Sequence, residues 1–388
     1  MPDISRLIGN ADAFPILRQW SFLNHAAVSP LPAVAADAFR RYAAQAESAA
    51  YIEAGWYRDV EQARARAARL INASPEEIAL LKNTSEGLAT VAAGIDWHPG
   101  DRIVTTAVEY PANIYPWMDL QNRLGVELVM VAEDDMPDGS RAVPMDRILD
   151  AASHPRTRLL TLSHVQYASG QRHDLSAVGR FCRDRGILFC VDAIQSLGVL
   201  PVDVAAMNID YLSADGHKWL LGPEGAGIFF CRRDLLPSTR PVLVGWMNVI
   251  NAEDYGQYDF TLRNDARKFE CGSWNIPGFL ALGASLDLLL STGIDAVAMR
   301  VRELTGRLVT GLRAAGHRVI SPRTDNQDSG IVSFIVPRHD PKRILADLRR
   351  NHRIELALRE GRLRASPHFY NTDQQIDRLL SALPHGEG

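Results

Sequence analysis

In SADGHKW (213–219) a lysine, Lys218, follows an apolar run and Gly216–His217, and precedes the turn-like LLGPEGAG. A charged ammonium is costly to bury there unless it is paired or chemically used. A second apolar run ends in VDAIQS (191–196), where Asp192 needs a cationic or hydrogen-bonding partner and Gln195 follows three positions on. A third ends in KNTSEGL (82–88), with Asn83 of N-cap type and Glu86 at capping-box spacing. Thr84 and Ser85 then offer hydroxyl and N–H groups at a helix N-terminus, a ready site for phosphate. Taken alone, each has an ordinary reading as a helix cap, a structural ion pair or a solvated lysine.

The elements around these residues make the ordinary readings less economical. Seven short apolar runs recur as IALLKN (78–83), RIVTTAV (102–108), ELVMVA (127–132), RLLTLSHV (158–165), ILFCVDA (187–193), DYLSAD (210–215) and GIFFCRR (227–233). Most are continuous rather than alternating, as in strands buried on both faces. Amphipathic stretches lie between them, such as DLSAVGRFCRDRG (174–186) with Leu175, Val178, Phe181 and Cys182 on one face and a closing glycine. The expected fold is α/β, with a seven-stranded, mostly parallel sheet covered on both sides. Ligands of open α/β sheets bind beyond the carboxyl ends of the strands, where all three groups fall. A phosphate anchor, a carboxylate and an amine together suit pyridoxal 5′-phosphate: a Schiff base to the lysine, a protonated pyridine nitrogen facing the carboxylate, and the phosphate on the helix terminus.

Beyond residue 278 the pattern changes to two long helical stretches. RVISP, GIVSFIVP, IELALRE and LRASPHFYNT then read as strands of a smaller α+β unit. The expected division is a large domain over 29–292 and a small one from 1–28 with 293–388. A net charge of −4 without a basic stripe excludes the electrostatic footprint of a nucleic-acid binder. Cys182, Cys190, Cys231 and Cys271 form no CxxC pair, which argues against a zinc site or disulfide framework and fits a reducing cytoplasm. No signal peptide and no membrane-length apolar run is evident, so the expected location is cytoplasmic. GPEGAG (222–227) precedes a strand and fits neither a dinucleotide fingerprint nor a P-loop; no HExxH or paired Cys/His cluster suggests a metal.

VDAIQS together with ADGHKW resembles the class V aminotransferase group of fold-type I pyridoxal-phosphate enzymes, which includes cysteine desulfurases, selenocysteine lyases and isopenicillin N epimerase-like proteins. The likeness runs from FLNHAAVSP (22–30) to LRASPHFYNT (363–372). It implies that Lys218 is the Schiff-base lysine, that Thr84, Ser85 and His217 contact the phosphate, and that Asp192 and Gln195 face the pyridine nitrogen and ring hydroxyl. It places Tyr110, of VEYPAN, where relatives stack a histidine on the ring, a task an aromatic face also performs. FECGSWN (269–275) resembles a motif whose Thr reaches the partner's phosphate, which implies a homodimer with composite sites and Ser273 in that role. Arg364 matches the arginine that binds the substrate carboxylate, although Arg353, Arg359 and Arg362 stand nearby, and Asn24 and His25 match the segment lining the substrate pocket.

The departures bear on the reaction. Persulfide-forming desulfurases carry a cysteine shortly before the substrate arginine, and NHRIELALREGRLR (351–364) has none. Asp215 replaces a serine three residues before the lysine, and Gln166–Tyr167 stand where an Asn is usual. The expectation is a Cβ lyase, for example of a C–S bond, without a persulfide cysteine. An amino-acid epimerase or an aminotransferase is the alternative, and a non-catalytic scaffold is disfavoured by intact Lys218, Asp192 and Gln195.

Overall fold

Continuous runs of Val, Ile, Leu and Phe are stable as strands only where both faces are covered. All seven runs between residues 78 and 231 are strands of one sheet. They are β1 (Ile78–Leu81), β2 (Arg102–Thr106), β3 (Glu127–Val131), β4 (Thr157–Ser163), β5 (Leu188–Asp192), β6 (Tyr211–Asp215) and β7 (Gly227–Cys231) in a computed structural model that describes residues 4–324 and 326–385. The spatial order is β1-β7-β6-β5-β4-β2-β3. Only β7 runs against its neighbours. Edge strand β3 is the one with exposed positions, Glu127 and Met130, as an uncovered edge requires.

Because β7 is antiparallel to both β1 and β6, those two run the same way, and their carboxyl ends lie together. The register makes this concrete: Gly227 faces Leu81 on one side and Asp215 on the other. Asp192 at the end of β5 faces Ser213 of β6 and Ser163 of β4. The three chemistry-bearing turns thus share one end of the sheet. The helix Thr84–Gly94 sits close upon it, since a Cβ on Gly87 would overlap the Ser213 side chain.

Local signals act largely as their chemistry dictates. Asp174 caps the helix Leu175–Arg185 by accepting from the Ala177 N–H at 3.0 Å, and Gly186 ends it at φ 65°. Phe181, expected on the buried face, is only partly covered, with the Arg185 guanidinium 4.0 Å above its ring. Asn83 accepts from the Glu86 N–H at 2.9 Å, but Glu86 reaches back to the Lys82 N–H rather than that of Asn83. The reciprocal half of the expected capping box is displaced by one residue.

A second, antiparallel sheet contains β8 (Arg318–Val319), β9 (Val332–Ile335), β10 (Ala357–Arg359) and β11 (Arg362–Ala365) in the order β8-β9-β11-β10. IELALRE, read as one strand, divides at Leu356: Ile354–Glu355 pairs in parallel with Ser21–Phe22, and only Ala357–Arg359 joins the sheet. A hydrophobic cluster including Leu23, Leu304, Phe334, Leu363 and Leu379 fills this region. Phe14, stacked on Tyr370 at 3.8 Å, belongs instead to the large-sheet core. Among the described residues no single helix is long and apolar enough to cross a membrane.

Of five buried histidines, the four least exposed are His25, His164, His173 and His368. Burial holds each below its ordinary value, at about 3 for His164 and about 4 for His173 and His368. They fold neutral, whereas the unfolded chain protonates them near 6.5. Stability that His164, His173 and His368 contribute is present above pH 6.5 and lost as pH falls below it, by about 2 kcal/mol each at pH 5, and His25 acts in the same direction. Burial raises Asp192, so its protonation on folding partly offsets this loss. Urea unfolding at pH 7.5 and pH 5 is expected to show a large drop in midpoint; an unchanged midpoint would contradict neutral burial.

Candidate active site

The carboxyl ends of β1, β5 and β6 open into a cavity of about 390 Å³. Lys218, Asp192, Gln195, His217, Thr84 and Ser85 all line it, and so do Tyr110 and Arg364. Sheet register therefore gathers eight of the eleven residues singled out in the sequence.

Lys218 is buried, and its Nζ lies 5.6 Å from the Tyr110 ring centroid. Burial lowers its proton affinity, Asp192 opposes that shift, and Arg364 adds to it. Asp192 is pushed up by burial, while the Ile194 N–H, donating to Oδ1 at 3.0 Å, works the other way. The pair is an amine and a carboxylate in a poorly solvated cavity, each favouring a partner that neutralises it.

Thr84 and Ser85 open their helix as expected, with only Ser85 exposed. The Thr84 hydroxyl accepts from the Asp215 N–H at 2.9 Å, which leaves its proton to donate. Asp215 Oδ1 accepts from the Gly216 N–H at 2.7 Å, and Oδ2 lies 3.0 Å from His217 Nδ1. The carboxylate in a serine's place thus faces His217 and the turn backbone. Gln195 is partly committed: Nε2 donates to the Ala26 carbonyl at 3.1 Å, and Oε1 accepts from Trp219 Nε1 at 2.9 Å.

Arg364 is almost fully buried. One nitrogen, Nη1, donates to the Tyr167 carbonyl at 2.7 Å, but Nε and Nη2 are buried without a partner. Burial, reinforced by Arg359, lowers it to about 9. The Tyr167 ring packs edge-on to Tyr110 at 5.3 Å, and its hydroxyl donates to Glu360 Oε1 at 2.8 Å.

Three expected residues do not line the cavity. His25 is fully buried, with Nδ1 on the Ser366 carbonyl at 2.9 Å and Nε2 on the Tyr370 hydroxyl at 2.5 Å. Asn24 bridges Ser366, and the next residues, Ala26, Ala27 and Val28, form the wall instead. Ser273 is exposed in a separate depression with Cys271 and Trp274. Arg359 and Glu224 line the cavity without having been singled out. The sequence also gives no hint of Glu109, a buried carboxylate that accepts hydrogen bonds from Thr106, Asn113, Ser163 and Gln166 and braces the wall behind Tyr110.

A buried amine, a buried carboxylate, an aromatic face and a helix N-terminus around one cavity fit an aldehyde cofactor bearing a basic ring nitrogen and a phosphate. Fold and site together define a pyridoxal-phosphate-dependent enzyme of fold-type I. The chain belongs to the aminotransferase class-V family, whose family model matches residues 21–379. It is 34% identical to a probable cysteine desulfurase of Methanothermobacter thermautotrophicus over 95% of both chains. It is 30% identical to an isopenicillin N epimerase of Streptomyces clavuligerus over 83% of both. A structure of a C-DES mutant with glycine covalently linked to the PLP cofactor aligns with TM-score 0.87 and 25% identity, covering 96% of this chain and 98% of that one. Another, of the cystine C–S lyase C-DES with its reaction product cysteine persulfide, aligns at 0.86 and 26%, covering 95% and 98%.

Proposed function

We propose that this enzyme breaks a C–S or related Cβ bond of an α-amino acid, with Lys218 as the covalent anchor of pyridoxal phosphate and the acid–base group at Cα. The observation carrying this reading is the convergence of Lys218, Asp192 and the Thr84–Ser85 turn on one cavity. When bound, the cofactor supplies an electron sink for the bond cleaved at Cα. The neutral Lys218 amine would hold the cofactor aldehyde and would take the proton from the substrate Cα. Burial favours its neutral form, which both bonds and accepts a proton. Asp192 would hold the proton on the ring nitrogen, a cationic partner that relieves its own burial. Thr84, Ser85 and His217 would take the phosphate, with Asp215 orienting His217 through Nδ1. Tyr110 would stack on the ring and Gln195 offer its remaining amide proton to the ring hydroxyl. Asn24 and His25 would act from behind the wall, by holding Ala26–Val28 against Ser366.

Sulfur would leave with the product rather than pass to a protein thiol. Cys182, Cys190 and Cys231 are buried, and no cysteine lines the cavity among the described residues. An epimerase is the second reading, supported by the relative of that name. A panel of L-amino acids assayed together for sulfide, keto acid and optical inversion separates the two. Sulfide and keto acid without inversion is expected; inversion alone would favour the epimerase.

Arg364 would hold the substrate carboxylate through Nε and Nη2, the nitrogens that lack partners. Arg364→Ala is expected to raise KM about 10- to 100-fold, with a smaller effect on kcat, since a charge-assisted contact contributes about 1.5–3 kcal/mol. Steady-state kinetics check this, and an unchanged KM would remove Arg364 from the pocket.

The assembly we propose is a homodimer with composite sites. Ser273 lies outside its own cavity, and the neighbouring segment exposes Val244, Tyr255, Tyr258 and Phe260, an apolar surface a second copy would cover. The division into 29–292 and 1–28 with 293–388, and a cytoplasmic location suited to four free cysteines, belong to the same reading.

A further inference from the structure

Gln195 lines the cavity with an amide held at both ends. Its Nε2 donates to the Ala26 carbonyl at 3.1 Å, and its Oε1 accepts from the Trp219 indole Nε1 at 2.9 Å. A backbone carbonyl only accepts and an indole N–H only donates. The two partners therefore agree on which end of the amide is oxygen, an assignment that side-chain shape alone does not make. The amide carries two N–H groups, so one remains free on Nε2.

Trp219 has little freedom of its own. The indole is fully buried, and a Cβ on Gly330 would lie 2.5 Å from its rim. His25 and His368 flank it, with ring centroids at 6.3 and 5.6 Å. His368 Nε2 donates to the Trp219 carbonyl at 3.1 Å, while its Nδ1 accepts from the Phe369 N–H at 2.9 Å. Gly198 approaches the same carbonyl so closely that a Cβ there would lie 2.2 Å away. Next to it, the Ser29 hydroxyl donates to the Lys218 carbonyl at 2.6 Å. The ring is thus set from four separate parts of the chain before it meets Gln195. A buried indole N–H needs an acceptor, and here the acceptor is a cavity-lining side chain. Without that N–H, the Gln195 oxygen loses its donor, and the open side of the amide is the cavity.

We propose that Trp219 is a positioning residue: its indole N–H holds the Gln195 oxygen out of the cavity, so that Gln195 meets the cofactor's ring oxygen as a hydrogen-bond donor. This rests on the active-site reading above, in which Lys218 anchors pyridoxal phosphate. Trp219 touches neither substrate nor cofactor in this role and acts through Gln195 alone.

The test is a pH titration of cofactor absorbance in wild-type holoenzyme, Trp219→Phe, Gln195→Leu and the double variant. A donor held to the ring oxygen favours its charged form. That lowers the pH at which the lysine-bound cofactor gives up the proton it shares with this oxygen. Gln195→Leu should raise the midpoint by about 1 pH unit, the scale of one charge-assisted hydrogen bond. Trp219→Phe should raise it by a smaller amount and weaken cofactor affinity about 3- to 10-fold. In the Gln195→Leu background it should add nothing. Asp192, Asp215, His217, Glu224, Arg359 and Arg364, the charged groups around Lys218 in the cavity, stay in place in all four proteins, so the midpoint reads the amide. Benzothienylalanine in place of Trp219 keeps the ring shape without the N–H and should give the same shift where Trp219→Phe fails to fold. A folded protein without that N–H whose midpoint stays at the wild-type value overturns the inference, even if its stability falls. So does a shift that persists in full in the Gln195→Leu background. Wild type that takes up no cofactor overturns the active-site reading and this inference with it, whereas uptake at Lys218 with an unmoved midpoint overturns this inference alone.

Discussion

Lys218→Ala is expected to leave a folded protein that binds pyridoxal phosphate only reversibly and turns over at least about 10²–10⁴ times more slowly. That is the range a positioned proton-transfer group contributes, before the loss of the covalent anchor is added. The effect should fall on kcat, because the lysine acts on the proton at Cα, whereas Arg364 addresses the carboxylate. Truncation removes a buried ammonium that has no hydrogen-bonded anion of its own, so thermal stability should change little in the direction of loss. Asp192 then stands without its nearest cation, which sharpens the upward push that burial already exerts on it. Gel filtration to remove the cofactor, followed by absorbance and activity measurements, separates these effects. A Lys218→Ala protein that retains tightly bound, covalent cofactor and wild-type turnover would refute the assignment.

The largest structural effect is expected outside the cavity lining, at Arg64 and Glu270. Arg64, on the helix Trp56–Leu70, is fully buried. Its Nη1 donates to Glu270 Oε1 at 2.5 Å and to the Ile78 carbonyl at 2.8 Å. Glu61 accepts from Nε at 2.9 Å. Glu270 in turn accepts from the Leu80 N–H and from Trp274 Nε1, each at 2.7 Å. The pair joins that helix, edge strand β1 and the 269–275 segment. Burial opposes the Arg64 charge, yet Glu270 and Glu61 hold its proton affinity above the ordinary value. Removing one partner strands the other charge in the interior, so Arg64→Ala or Glu270→Ala should each destabilise by about 3–5 kcal/mol. The double variant should fall well short of the sum, because the two residues act as a unit. Denaturant unfolding of the four-protein cycle measures the coupling; additive losses would contradict it.

The seven large-sheet strands were legible because a continuous apolar run has one stable environment, and the three turns were legible because a charged or hydroxyl side chain at such a run's end needs a reason. What escaped depends on contacts between distant parts of the chain. IELALRE has one strand-like composition, but its first residues pair with Ser21–Phe22 more than 300 positions away, and nothing local marks the break at Leu356. His25 was placed near the pocket, yet Ser366 and Tyr370 decide where its ring points. FECGSWN was read for Ser273, while its Glu270 became a structural ion-pair member only when Arg64 arrived from another helix. Arg359 and Arg364 looked alike among their neighbours. A two-residue turn puts both on one face, and the positions of Glu133 and Glu360 leave these two unmatched.

The central claim is that this cavity holds pyridoxal phosphate through Lys218. The chain has four lysines, Lys82, Lys218, Lys268 and Lys342, so the attachment point is readily told apart. Incubation with pyridoxal phosphate, borohydride reduction and peptide mass mapping should place one cofactor per chain on the peptide containing Lys218 and leave the other three lysines unmodified. Attachment at another lysine, or none at saturating cofactor, would contradict the account.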